Sequence, residues 1–149
     1  MEYAIWTHMG TGTGVSISQL YILEDTGSGL QIHEFMHRMI IKELERVTWQ
    51  WEENTKTLQM YADGMLVGEK VDLSELLSIN EGEFKSVTFE NFIEFQEENG
   101  QWFMEADAGI IHTGFVIPVY SDRNVIVRAP VIYDPEGGFF LGKITVTYE

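Results

Sequence analysis

Apolar and polar residues alternate with a period of two through most of this chain, and that period predicts strands. Val47, Trp49 and Trp51 alternate with Thr48, Gln50 and Glu52. Ile144, Val146 and Tyr148 alternate with Lys143, Thr145 and Thr147. A strand at residues 57–62 follows the turn Asn54-Thr55-Lys56, and Asp63-Gly64 separates it from Met65-Leu66-Val67. Asn99-Gly100 stands in the same way between strands at 91–96 and 101–106. Both dipeptides supply the two positive-φ residues that a tight hairpin turn requires. Further strands are predicted at 3–8, 15–23, 114–120 and 124–133. The turn Pro135-Glu136-Gly137-Gly138 brings the C-terminal strand back onto 124–133, and Pro130 marks that partner as an edge strand or a bulge.

The pattern switches to a helical period once. From about Glu34 to Arg46, Met36, Ile40, Leu44 and Val47 fall on one stripe, with Arg38, Lys42 and Glu45 opposite. A second short helix or turn is predicted over 73–79. No linker, low-complexity tract or long-period repeat divides the chain. These elements predict an α+β fold in a single domain, residues 1–149. Its sheet is mainly antiparallel and built from hairpins, with one main helix (about 34–46) packed on it.

Composition narrows the picture. Hydrophobic residues make up 44% of the 149, enough for a globular core and too many for a disordered chain. No run of about 18 apolar residues is present, so no membrane span is expected. Met1-Glu2-Tyr3-Ala4-Ile5-Trp6 lacks the basic region and apolar stretch of a signal peptide. Nine basic residues against twenty-four acidic ones give a formal charge of -15. Such a field repels phosphate backbones and anionic membranes, which speaks against nucleic-acid binding. It suits solubility, a cationic partner or a divalent metal. Cysteine is absent, which removes disulfides, thiolate zinc sites and cysteine nucleophiles.

One string carries candidate chemistry. His33-Glu34-Phe35-Met36-His37 spells the H-E-x-x-H signature, in which two imidazoles one helical turn apart hold zinc and the glutamate activates its water. If the helix starts at Glu34 or before, His33 and His37 share a face with Ile40 and Leu44. Four features oppose zinc. Leu30-Gln31-Ile32-His33 directly follows the Thr26-Gly27-Ser28-Gly29 turn, so His33 belongs to an extended segment or a first turn. Arg38 follows the second histidine, where zinc peptidases usually carry no charge. Neither G-x-x-H nor a second long acidic helix supplies a third ligand; Glu52, Glu53, His8 and His112 are remote alternatives. Only about thirty residues precede the motif, little room for the substrate-edge sheet of such enzymes.

The other candidates read more simply as structure. Gly10-Thr11-Gly12-Thr13-Gly14 is followed by Val15-Ser16-Ile17-Ser18, a strand pattern, whereas a phosphate loop needs a helix there. Asp25, Asp122 and Asp134 lie in turns and outside any EF-hand spacing, which fits ordinary turn chemistry; the acidic excess prompts a calcium-stabilised module as a third reading. Glu90, Glu94, Glu97, Glu98 and Glu105 around Asn99-Gly100 fit a solvated acidic face. Trp49, Trp51 and Trp102 fit core packing, with a sugar- or peptide-binding surface as the alternative. Neither Ser16 nor Ser18 lies in a nucleophile elbow.

The stretch from Trp6 through the glycine run to Leu23 resembles a strand–GTGTGV–strand segment in uncharacterised envelope lipoproteins of Gram-positive bacteria. Those proteins often carry VCBS- or FG-GAP-like repeats. The downstream order is similar too: a helix, strands with an Asp-Gly turn, a short helix near Asp72-Leu73-Ser74 and a final hairpin. The chain lacks that family's D-x-D-x-D-G calcium repeats and any lipobox cysteine. The resemblance implies an extracytoplasmic setting and no catalytic residues. The expected function is a non-enzymatic binding or structural domain, without cofactor, whose partner is an unknown protein or small ligand. The alternative is a small zinc metallopeptidase, with His33 and His37 as metal ligands and Glu34 as catalytic base.

Overall fold

A computed structural model describes residues 2–12, 15–78, 81–114, 118 and 125–148, and most of these residues lie in strands. They are β1 (Glu2–Gly12), β2 (Val15–Asp25), β3 (Leu30–Phe35), β4 (Val47–Glu52), β5 (Thr57–Ala62), β6 (Met65–Asp72), β7 (Phe84–Thr88), β8 (Phe92–Glu98), β9 (Gln101–Asp107), β10 (Gly109–His112), β11 (Val125–Asp134), β12 (Gly138–Leu141) and β13 (Thr145–Tyr148). Two short helices, α1 (His37–Leu44) and α2 (Ser74–Ser78), interrupt them. The alternation does not predict β3, β7 or β10. The large sheet runs β1-β2-β8-β9-β11-β12; β3 also pairs with β2, and β13 with β11. Every pairing in it is antiparallel except β2 with β8. Separate small sheets are β4-β5-β6 and β10-β7. Both predicted hairpins are present, with Asp63 (φ 51°) and Gly64 (φ 76°) in one turn and Asn99 (φ 52°) and Gly100 (φ 83°) in the other.

One apolar core joins the sheets and helices. It contains Leu20 and Ile22 of β2, Ile40 and Leu44 of α1, Leu58 and Met60 of β5, Leu77 of α2, and Ile93, Met104 and Val127 of the central strands. Trp49, Trp51 and Trp102 pack against its margin, as their alternation with polar residues predicts. Ser18 is fully buried in β2, and its hydroxyl has no hydrogen-bond partner among the described residues.

Two expectations need correction. The helix predicted over 34–46 forms only at His37–Leu44, and residues 30–35 instead pair with β2. That pairing satisfies their backbone groups and buries Phe35 opposite Leu20. The helical stripe survives in Ile40 and Leu44, while Met36 caps the helix in an extended conformation and Val47 begins β4. The molecule is therefore predominantly β, and α+β with one main helix overstates its helical part. The second correction concerns Pro130, whose strand lies between β9 on one side and β12 and β13 on the other. Pro130 sits where the partner changes from β13, which ends at Arg128↔Thr145, to β12, which begins at Val131↔Leu141. Its carbonyl accepts the Gly142 N–H at 2.7 Å. Its missing N–H thus faces the link between two strands, where no ladder bond is due.

The strand expected at 114–120 lies outside the described residues except for Gly114 and Pro118; so do Asp122, Asn124 at the start of the strand expected at 124–133, Ile79, and Thr13 and Gly14 of the glycine run. No helix among the described residues is long and apolar enough to cross a membrane.

Candidate functional site

The H-E-x-x-H string straddles an element boundary. His33 and Glu34 are consecutive residues of β3 and point to opposite faces, while His37 is the first residue of α1. The shared helical face that zinc chemistry requires is therefore not formed. His33 Nε2 lies 3.0 Å from Glu24 Oε2, and His37 Nε2 lies 3.2 Å from the Glu90 carbonyl oxygen. Glu34 is exposed. His8 is exposed on β1, and His112 is buried in β10, where its Nδ1 accepts the Gly114 N–H at 3.1 Å. No group of three or more His, Asp or Glu side chains among the described residues is placed to hold a metal ion.

A different cluster forms around His33. Cross-strand pairing of β2 and β3 puts Glu24 and His33 on one face. Tyr133 of β11 donates its O–H to Glu24 Oε1 at 2.9 Å, from 109 residues away. Phe139 of β12 meets the His33 ring edge-on at 4.9 Å, and Gly138 leaves room for that ring. The hydrogen bond from His33, then that from Tyr133, holds the Glu24 carboxyl below its ordinary value. The same carboxylate pushes the Tyr133 phenol up. The cluster ties the β11–β12 hairpin to the end of β2 and β3.

The remaining sequence candidates are engaged in structure. Asp25 Oδ1 accepts the Gly27 N–H at 2.9 Å, and Asp134 Oδ1 accepts those of Glu136 and Gly137 at 2.8 and 2.9 Å, as turn aspartates do. Glu94 accepts the Ser16 hydroxyl at 2.7 Å. Glu98 and Glu105 bind Arg128, whose guanidinium lies 3.8 Å over the Phe103 ring. Glu94, Glu105, Asp107 and Phe92 line a small cavity of about 120 Å³. Glu97 accepts the Gly100 N–H of its own hairpin. Glu52 binds Lys70 at 3.0 Å, and Glu53 accepts from Lys56 and from the Trp51 indole.

The feature that sequence reasoning missed is a slot of about 370 Å³ between β4 and β7. Val47, Thr48 and Trp49 line one side; Val87, Thr88, Phe89 and Glu90 line another; Ile41 and Leu44 of α1, with Glu45 just past its end, complete the lining. Consecutive residues of a strand point to opposite faces. The lining takes in neighbours on both strands, Thr48 beside Trp49 and Thr88 beside Val87, so it is not drawn from one sheet face alone. Trp51 of β4 stacks on Phe84 of β7, with centroids 4.5 Å apart and planes 22° apart, which ties the two strands together beyond the slot.

The β4 edge is chemically open. Arg46 O accepts from Asp63 N at 3.0 Å, so residues 46 and 63 make a hydrogen-bonded pair at the end of the β4–β5 ladder. Such pairs alternate with non-hydrogen-bonded ones. Val47↔Ala62, Trp49↔Met60 and Trp51↔Leu58 are then the non-hydrogen-bonded pairs. The N–H and C=O groups of Val47, Trp49 and Trp51 consequently point away from β5, and no described strand meets them. No family model matches the chain, and no curated protein or solved structure matches it either. Chemically, the slot offers apolar contact, an aromatic wall, two rim carboxylates and backbone donors and acceptors. Alternation placed Trp49 against the core correctly, but could not show that the opposite strand edges stop short of each other.

Proposed function

We propose that this chain is a non-enzymatic binding domain and that the slot between β4 and β7 is its ligand seat. The observation that carries this reading is the apolar slot itself, walled by Trp49 and Val87 and bounded by strand edges that nothing described covers. Concave apolar sites with a few polar groups are the usual form of a ligand site. The envelope setting rests on the resemblance of the Trp6–Leu23 segment. Against the zinc alternative stand the separation of His33 from His37 across the β3–α1 boundary and the opposite direction of Glu34.

The test is methyl- and indole-resolved NMR during addition of a mixed-sequence heptapeptide pool. Shifts are expected to concentrate on Ile41, Leu44, Val47 and the Trp49 indole. Trp49→Ala is expected to weaken binding by about 2 kcal/mol, the typical cost of removing an aromatic anchor. Peptides that shift only resonances remote from the slot, or that bind Trp49→Ala as tightly as the parent, would show that the seat lies elsewhere.

A further inference from the structure

We infer that the slot takes an extended basic peptide, which enters as an added strand against the open edge of β4; this rests on the slot being the ligand seat. The edge supplies the main-chain half of the interaction. Val47 and Trp49 at the slot, and Trp51 just beyond it, present three sets of outward N–H and C=O groups. At about 3.3 Å per residue they span roughly 13 Å, which suits about five peptide residues. β7 stands across the slot and pairs with β10 alone among the described residues. An inserted strand would therefore fill the gap in a β10-β7-peptide-β4-β5-β6 order. Main-chain pairing with an exposed edge is a general mode of peptide capture, in which alternate side chains set specificity.

The side-chain chemistry follows from the walls. Peptide residues that face Ile41, Leu44, Val87 and Phe89 should be apolar. Those between them should be basic, because Glu45 and Glu90 stand at the slot, none of its described lining residues is basic, and the whole chain carries -15. Two acidic rims and a negative field favour a cationic entrant and steer its approach. A second copy of this chain is the less suitable occupant, since it brings the same negative field.

The probe is the labelled peptide acetyl-Lys-Val-Lys-Val-Lys-Val-Lys-amide, titrated into the intact chain by fluorescence anisotropy. Three relatives accompany it: one N-methylated at the valines, one N-methylated at the internal lysines, and one with glutamate for every lysine. The parent is expected to bind and to slow amide exchange at Val47, Trp49 and Trp51. At least one N-methylated form should lose about tenfold or more in affinity, because it cannot pair with β4. The glutamate peptide should lose at least as much. The exposed double variant Glu45→Lys/Glu90→Lys, checked for an unchanged Tm, should narrow the preference for lysine over glutamate, while the field of the remaining negative chain keeps its sign. If both N-methylated peptides bind like the parent while Trp49 still responds, strand addition is wrong and the ligand seat stands. If the glutamate peptide binds as well as the lysine one, the cationic assignment is wrong. If no peptide perturbs Trp49 or Val47, both this inference and the seat fall. A concentration-dependent dimer that protects the β4 edge would name a second copy as the occupant and also overturn it.

Discussion

Glu24 receives two hydrogen-bond donors at once, and its ionisation makes a distant contact sensitive to pH. Its carboxylate meets His33 at 3.0 Å and the Tyr133 hydroxyl at 2.9 Å. Because the folded value of Glu24 lies below 4.5, its ordinary one, its contribution to stability is full above that value and is lost as pH falls through the lowered one. Tyr133 has the opposite sign. Its folded value lies above 10.0, so the neutral phenol's contribution is full below 10.0 and is lost as pH rises through the raised value. Glu2 and Asp134 add to the negative field that raises it. Thermal melts from neutral pH down through pH 4 should therefore show a steeper loss in the parent chain than in Glu24→Gln. Ultraviolet titration should show a late-ionising component that Tyr133→Phe removes. Equal acid slopes for parent and Glu24→Gln would refute the coupling. None of this was legible in the sequence. His33 drew attention through a string that zinc peptidases share, whereas its actual partners are nine residues before it and about one hundred after it. No local pattern joins β2 to β11.

At the scale of elements, turn chemistry was legible and the strand-to-helix boundary was not. Asp63-Gly64 and Asn99-Gly100 announce their hairpins because few other pairs tolerate two positive φ angles in succession. The segment 30–46 offers both periods. Met36, Ile40 and Leu44 fit a helix, and the same chain fits a strand up to Phe35 because β2 has an open edge there. Tertiary pairing decides such a conflict, and it shortened α1 by the residues that β2 claimed. The β11–β12 hairpin gives a direct test of packing at element scale. Gly138 has φ +75°, and a Cβ there would stand 2.7 Å from His33 Cε1. Gly137, one residue earlier, would meet nothing closer than Asp134 Oδ1 at 3.7 Å. Gly138→Ala should cost about 2 kcal/mol, or roughly 4–8 °C in Tm for a chain of this size. Gly137→Ala should stay within about 0.5 kcal/mol, as surface changes usually do. If the two variants melt together, the hairpin does not pack on His33 as described.

At the scale of the whole molecule, the charge balance acts on both stability and association. Composition alone reveals the excess of acid, and the fold adds which bases are already committed. Arg46 bridges Glu43 and Asp63, Lys56 meets Glu53, Lys70 meets Glu52, and Arg128 serves Glu98 and Glu105. These pairs are mostly exposed, so each is worth little, while the remaining carboxylates repel one another at long range. Repulsion of this kind is screened as the Debye length shrinks from about 30 Å at 0.01 M salt to about 8 Å at 0.15 M. Tm should therefore rise with sodium chloride over that range. A fall would mean that the ion pairs outweigh the net repulsion. Calcium and magnesium at equal concentration should raise Tm equally, because Asp25 and Asp134 spend their Oδ1 oxygens on turn amides. A selective effect of calcium, or of zinc with loss in His37→Ala, would reveal a metal site that the described residues do not assemble. The same screening separates stability from function. Salt that firms the fold should slow capture of a cationic peptide, since steering depends on the unscreened field. Stopped-flow association of the lysine–valine peptide should slow about tenfold or more between those two salt concentrations, while its dissociation changes little. Dissociation that accelerated as much as association slowed would place the attraction at the bound contacts with Glu45 and Glu90, and not in the field of the whole chain.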